Sequence, residues 1–351
     1  MCSSNFRLDN LVRPNIKTLK AYRSARDDFD SGILLDANEN ALGPVAGDGL
    51  HRYPDPYQKE LKRLIADFRG VKPEQIFTGV GSDEAIDLLI RIFCAPGKDA
   101  ILATPPTYGM YKVSSGVNDV KIIEAPLTPD FQLQPELVLE KADERVKLIF
   151  LCSPNNPTAN LLNVADIKAV IEGFNGVVVV DEAYVDFADA ESMAPLVAQY
   201  PNLVVMQTLS KSFGLAGVRL GMAISNDEII AYMNKIKAPY NINALTSKAA
   251  IAGMTQVASM KDKVAVILNE RQRVANSLNA ASFVEHVYPS DANFLLFRVP
   301  DALNVYKALA EKEVIIRYRG NELHCDNCLR VTIGTSAEND QFLNALNEVC
   351  S

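Results

Sequence analysis

Between about residue 60 and residue 225, short apolar runs alternate with longer amphipathic stretches. Residues 101–103, 148–152, 177–180 and 203–207 are too short for helices and are often β-branched, which predicts buried strands. Residues 82–94 and 164–174 carry apolar side chains at helical spacing. Strand–helix alternation over this length predicts an α/β fold with a mainly parallel sheet covered by helices on both faces. After Ala244 the rhythm changes: helical stretches at 245–256 and 260–280 lead into strand-like runs at 293–298, 314–317 and 329–333. This mixture predicts a smaller α+β domain. The polar, irregular first forty residues read as an arm. The expected division is an arm with part of the small domain at 1–44, a large domain at 45–244 and a small C-terminal domain at 245–351. Two domains suit a chain of 351 residues.

A net charge of −8, with 48% hydrophobic and 22% charged residues, fits an ordinary globular protein. It offers no electrostatic footprint for nucleic acid or an anionic membrane. The N-terminus lacks the apolar run of a secretory signal, and no stretch approaches the roughly 18 apolar residues that span a bilayer. The expected compartment is the cytoplasm. Cys2, Cys94, Cys152, Cys325, Cys328 and Cys350 are expected as free thiols. Cys325 and Cys328 form a lone CxxC with only His324 nearby, short of a zinc ligand set, and read as structural. No metal is expected.

In an open α/β sheet, ligands bind beyond the carboxyl ends of the strands, and four segments place polar residues there. In Thr208-Leu-Ser-Lys-Ser-Phe-Gly-Leu-Ala-Gly217, Lys211 follows a buried strand. Partial desolvation would lower its pKa and make the amine a nucleophile toward carbonyls. Ser210 and Arg219 suit a phosphate. A solvated loop lysine is the plainer alternative. In Val177-Val-Val-Val-Asp-Glu-Ala-Tyr184, a carboxylate ends an apolar strand, which is costly unless a positive group meets it. The protonated ring nitrogen of pyridoxal phosphate is such a partner, with Tyr184 donating to the ring's phenolic oxygen. A turn cap or a magnesium ligand would also account for Asp181. Ser153-Pro-Asn-Asn-Pro-Thr158 projects Asn155 and Asn156 from a proline-stiffened turn, or is merely a turn. Gly79-Val-Gly-Ser-Asp-Glu84 lacks the third glycine of a dinucleotide fingerprint and follows no strong strand beyond 75–78. It reads as a glycine turn whose free N–H groups bind a phosphate, the alternative being an ordinary capped helix.

Together, in this order, the four segments resemble a fold-type I aminotransferase, and residues 208–217 match the class II lysine signature at every constrained position. The resemblance implies pyridoxal 5'-phosphate held by Lys211 as a Schiff base, with Asp181 facing the pyridine nitrogen. Asn156 and Tyr184 would contact the phenolic oxygen, and Tyr108 would stack on the ring. Gly81, Ser82, Asp83, Ser210 and Arg219 would surround the phosphate. Over essentially the whole chain the sequence is similar to the histidinol-phosphate aminotransferases. The similarity rests on Leu34-Leu-Asp-Ala-Asn-Glu-Asn40, His51-Arg-Tyr-Pro54, residues 101–111 and Cys328-Leu-Arg-Val-Thr-Ile-Gly334. That similarity implies that Arg330 clamps a substrate carboxylate and that Tyr22, Asn38, Tyr53, Asn156 and Arg317 line the substrate side. Tyr53 would reach over from the partner subunit of a homodimer and also touch the cofactor. The implied reaction is a ping-pong transamination between histidinol phosphate and 2-oxoglutarate, giving imidazole-acetol phosphate and glutamate in histidine biosynthesis. Lys211 would shuttle the proton, with Asp181 and Tyr184 as its catalytic companions. A threonine-phosphate decarboxylase or an aromatic amino-acid aminotransferase would use the same scaffold. A non-enzymatic binding module would have little use for Lys211, Asp181 and Arg330 together. One position departs from the family pattern: the usual Asn-Pro-Thr-Gly reads Asn156-Pro-Thr-Ala159, which costs about 1 kcal/mol if the turn needs positive φ.

Overall fold

The computed structural model describes residues 6–29 and 31–350; Cys2 lies outside them. Seven strands form the larger sheet: β1 (Ile76–Val80), β2 (Ala100–Ala103), β3 (Lys121–Glu124), β4 (Val146–Cys152), β5 (Val177–Asp181), β6 (Leu203–Thr208) and β7 (Leu220–Ser225). Their order is β1-β7-β6-β5-β4-β2-β3. All pairs from β3 to β6 are parallel, while β7 runs antiparallel to both β6 and β1. The predicted runs therefore become neighbouring strands of a mainly parallel sheet.

Alternation along each strand divides the core into two layers. Leu148, Phe150 and Cys152 face the same side as Val177, Val179, Val204 and Met206, and pack on Ile86, Leu89, Ile90 and Phe93 of the helix Gly81–Phe93. Ile149, Leu151, Val178, Val180 and Val205 face the other side, against Ile167, Val170 and Ile171 of the helix Val164–Gly173 and Leu61 and Ile65 of Lys59–Arg69. Parallel strands buried on both faces explain why the sequence shows continuous apolar runs there. By the same parity, Asp181 shares the face of Val177 and Val179, toward the helix that starts at Gly81.

Two expectations need correction in this part. The glycine turn at residue 79 is in fact strand: Gly79 and Val80 belong to β1 and pair with Gly221 and Leu220. The strand was weak in sequence because its apolar run ends in Thr-Gly. The arm is not irregular throughout either. Leu8–Leu11 and Pro14–Thr18 are short helices whose Leu8 and Ile16, with Val12 between them, bury into the layer of the Gly81–Phe93 helix.

A second sheet, antiparallel and in the order β10-β11-β9-β8, contains β8 (His286–Val287), β9 (Phe294–Arg298), β10 (Arg317–Tyr318) and β11 (Cys328–Thr332). Helices Val257–Ala280, Ala302–Glu311 and Ser336–Cys350 cover it through Val274, Leu278, Leu309, Phe342 and Leu346. The strand expected at 314–317 begins only at Arg317. The Val314 amide turns back to donate to the Leu309 carbonyl, so it finishes the preceding helix. Ala159 does sit at φ +71. Its methyl is fully buried beside Tyr184, Phe187 and Phe294, and burying one such group returns about 0.8 kcal/mol, close to the strain.

The five cysteines among the described residues are free thiols. Among these residues no helix is long and apolar enough to cross a membrane.

Candidate active site

A cleft of about 540 Å³ opens beyond the carboxyl ends of β4, β5 and β6, with the small sheet as its opposite wall. Lys211 enters it from the loop that joins β6 to β7. That loop is pinned at its base: the Leu209 amide donates to the Leu220 carbonyl, Leu215 to Leu209 and Gly214 to Lys211. The Lys211 ammonium lies 5.4 Å from the Tyr184 ring centroid. Burial lowers its pKa most, Arg330 and Arg219 lower it further, and Asp181 pulls partly the other way. An amine in this setting is uncharged more often than a surface lysine.

Asp181 ends β5 fully inside the protein. One carboxylate oxygen accepts from the Tyr111 hydroxyl at 2.8 Å and the other from the Ala183 amide at 3.1 Å. Burial pushes its pKa up to about 6, against the downward pull of those hydrogen bonds. A buried carboxylate with only neutral hydrogen-bond partners remains short of a cation. Tyr111 stacks on Phe150 at 4.7 Å and meets Tyr108 edge-on at 5.6 Å, so the aromatic side of the cleft is braced from beneath. Tyr184 is buried against Phe294, and burial raises its hydroxyl well above the usual range.

The helix Gly81–Phe93 points its start at the cleft, with no side chain capping its first turn. Gly81 sits at φ +70, and a Cβ there would lie 2.8 Å from the Arg219 guanidinium. Gly221 is more constrained still: a Cβ would fall 2.2 Å from the Ser82 amide nitrogen, so only glycine lets β7 press this close. Arg219 reaches Asp83 at 3.5 Å, and the Tyr108 hydroxyl donates to the other Asp83 oxygen at 3.3 Å. Ser210 receives the Thr208 hydroxyl at 2.9 Å. A glycine approach, an uncapped helix start, a hydroxyl and a guanidinium together make a phosphate cradle.

At the small-sheet wall, Arg330 on β11 donates to the Asn156 side-chain oxygen and lies 5.1 Å over the Phe294 ring. Its Nε is buried without a partner. Burial first, then Arg319, lowers its pKa to about 10. Arg317 also lines the cleft, together with Arg319 and Glu322, which the sequence reading had not singled out.

The structure thus gathers Gly81, Ser82, Asp83, Tyr108, Asn156, Asp181, Tyr184, Ser210, Lys211, Arg219, Arg317 and Arg330 around one cleft. Asn155 instead braces the turn, donating to the Pro106 carbonyl and the Thr158 hydroxyl. Tyr22, Asn38 and Tyr53 lie outside the cleft. Tyr22 is 71% exposed, while Tyr53 stacks on Tyr240 at 4.6 Å. Asn38 and Tyr53 line a separate hollow of about 400 Å³. Tyr111 carried no visible signal, since a tyrosine inside a helix is usually core. Arg319 carried one: it is an arginine two residues after Arg317, at the end of the same short segment.

A buried acid, a desolvated lysine and a phosphate cradle at the ends of parallel strands define a pyridoxal-phosphate-dependent transferase, and these residues fit that cofactor. Residues 27–346 match the aminotransferase class I and II family. Histidinol-phosphate aminotransferase from Cytophaga hutchinsonii is 48% identical over 97% of this chain and 99% of its own length. The crystal structure of histidinol-phosphate aminotransferase from Clostridium acetobutylicum superposes with a TM-score of 0.79 at 27% identity, covering 86% of this chain and 91% of that one. The enzyme of that name from Sinorhizobium meliloti, solved with pyridoxal-5'-phosphate, shares the fold at a TM-score of 0.79 and 24% identity, over 90% of this chain and 89% of that one. The chain belongs to the histidinol-phosphate aminotransferase family of class I and II aminotransferases, whose cofactor is pyridoxal phosphate.

Proposed function

We infer that the protein transfers the amino group between histidinol phosphate and 2-oxoglutarate, yielding imidazole-acetol phosphate and glutamate. The observation that carries this reading is that Lys211 and Asp181 face an arginine-rich wall across one cleft. Bound pyridoxal phosphate supplies an electron sink and a carbonyl carbon.

The chain's own residues have the following roles in this reading. Lys211 would hold the cofactor covalently and would carry a proton on Nζ when free; burial lowers its pKa, so the amine is uncharged, and able to accept a proton, more often than a surface lysine. Asp181, oriented by the Tyr111 hydroxyl, would keep a ring nitrogen protonated, and that ion pair would relieve the cost of its own burial. Tyr184 and Asn156 would hydrogen-bond the phenolic oxygen, and Tyr108 would cover the ring. Ser82 and Asp83 through their amides, Ser210 through its hydroxyl and Arg219 would hold the cofactor phosphate, with Gly81 leaving it room. Arg330, fixed by Asn156, presents its remaining edge to a substrate carboxylate. Arg317 serves the substrate phosphate.

The active unit in this reading is a homodimer. Ile33 and Leu42 are 91% and 98% exposed, an apolar surface that a second copy would cover. Tyr53, Tyr22 and Asn38, which lie outside this chain's cleft, would then complete the partner's. The reading keeps the arm at 1–44, the large domain at 45–244 and the small domain at 245–351. It places the enzyme in the cytoplasm, where phosphorylated substrates are retained.

An absorbance spectrum of the purified protein tests the proposal. A visible band should bleach when histidinol phosphate is added and return with 2-oxoglutarate. A band indifferent to histidinol phosphate would refute the substrate, and release of carbon dioxide from threonine phosphate would favour a decarboxylase.

A further inference from the structure

Three arginines share one face of the small sheet. Arg317 pairs across from Arg330, and just past the end of β10 the Arg319 amide donates to the Cys328 carbonyl at 2.8 Å. That bond holds Arg319 at the strand's end, and its side chain lines the cleft with those of Arg317 and Arg330. Glu322 is the carboxylate beside them, and its oxygen stands 3.8 Å from the Arg319 Nη1. That distance allows a loose ion pair but not a hydrogen bond. The Nε atoms of Arg319 and Arg330 are both buried without partners. Burial and Arg317 together hold Arg319 below its ordinary pKa. A cluster of like charges this short of acceptors is arranged for an anion that brings more than one charge.

We propose that Arg319 and Glu322 form an adjustable pair that lets this one wall accept both a phosphate dianion and a carboxylate. The inference rests on the reading of histidinol phosphate as substrate. A phosphate monoester carries about −1.5 to −2 charges at pH 7, whereas a carboxylate carries one. With the phosphate substrate, Arg319 leaves Glu322 and joins Arg317 on the phosphate oxygens. With glutamate or 2-oxoglutarate, Arg319 stays on Glu322, and Arg330 with Asn156 serves the carboxylate. Arg319 and Glu322 sit on one turn, closed by the Glu322 amide donating to the Arg319 carbonyl, which keeps the two side chains within reach of each other.

The test compares the two half-reactions of the holoenzyme, followed by the cofactor band, in wild type, Arg319→Gln, Arg319→Lys and Glu322→Gln. Arg319→Gln should raise the apparent KM for histidinol phosphate roughly 10-fold to 100-fold, the range for losing a charge-assisted hydrogen bond. Its effect on 2-oxoglutarate should be at least ten times smaller. Arg319→Lys should recover part of the loss, and Glu322→Gln should lower the KM for histidinol phosphate by freeing the arginine. Equal effects of Arg319→Gln on both substrates, or none on either, would overturn the pair. So would a Glu322→Gln enzyme that binds the phosphate substrate no better than wild type, a result that stands even if Arg319→Gln fails to fold. If wild type ignores histidinol phosphate yet reacts with glutamate, the functional reading fails and this inference falls with it. Normal wild-type turnover with an indifferent Arg319→Gln sinks the inference alone.

Discussion

The two walls of the cleft solve their electrostatics in opposite ways. On the large-sheet wall, Asp181 has the Tyr111 hydroxyl and the Ala183 amide, and Arg219 has Asp83. On the small-sheet wall, Arg317, Arg319 and Arg330 crowd together, and two of the three keep a buried Nε without a partner. The first wall is organised before anything binds, which suits a cofactor that stays. The second leaves donors unfilled, which suits substrates that come and go, because an incoming anion gains hydrogen bonds without displacing internal ones. The contrast also follows the architecture. Strand ends in a parallel sheet are rigid, buried platforms, whereas β10 is a two-residue strand at the edge of its sheet.

The largest expected effect comes from the large-sheet wall. Lys211→Ala should lower transamination by about 10⁴-fold or more, since it removes both the anchor and a positioned acid–base group. Circular dichroism should show an unchanged fold, and a variant with near wild-type turnover would dissolve the proposed role. Arg330→Lys on the opposite wall should raise the KM for 2-oxoglutarate by roughly 10-fold to 100-fold, because a point charge replaces the guanidinium fork. Steady-state kinetics would show it, and a kcat loss at constant KM would instead make Arg330 part of the chemistry.

A smaller effect is a pH dependence. Asp181 titrates at about 6, so cofactor affinity should fall as pH drops from 7 to 5 and the carboxylate picks up its proton. Tyr111→Phe removes a hydrogen bond that favours the ionised form, so the midpoint should move up, readable by titrating apoprotein with pyridoxal phosphate at several pH values. An unmoved midpoint would mean that Tyr111 only fills space. Before the cofactor binds, the same raised pKa works in reverse. The stability Asp181 gives the apoprotein is fully present below pH 3.8 and is lost as pH climbs through about 6. The smallest expected effect is Ala159→Gly: relief of the φ +71 strain and loss of the buried methyl nearly cancel, leaving a change under about 1 kcal/mol by denaturant melts.

Much of this was legible in the chain. The runs at 148–152, 177–180 and 203–207 each became a strand with boundaries within two residues, because a strand buried on both faces has no polar positions to blur its pattern. Lys211 and Asp181 stood out because each follows or ends such a run. β1 was half hidden, since Thr78 and Gly79 carry little apolar signal. The strand at 314–317 was overread, since Val314 and Ile316 look like strand residues even where the backbone is completing a helix.

The sequence by itself determined the α/β rhythm and the lysine and acid at strand ends. These are local statements, written in hydrophobic period and residue type. Only the tertiary structure decided that β7 runs antiparallel between β1 and β6, that Tyr111 holds Asp181, and that Arg330 meets an asparagine 174 residues earlier. Contacts at that range depend on how two sheets pack across a cleft, and no periodicity within either segment records which side chain will stand opposite.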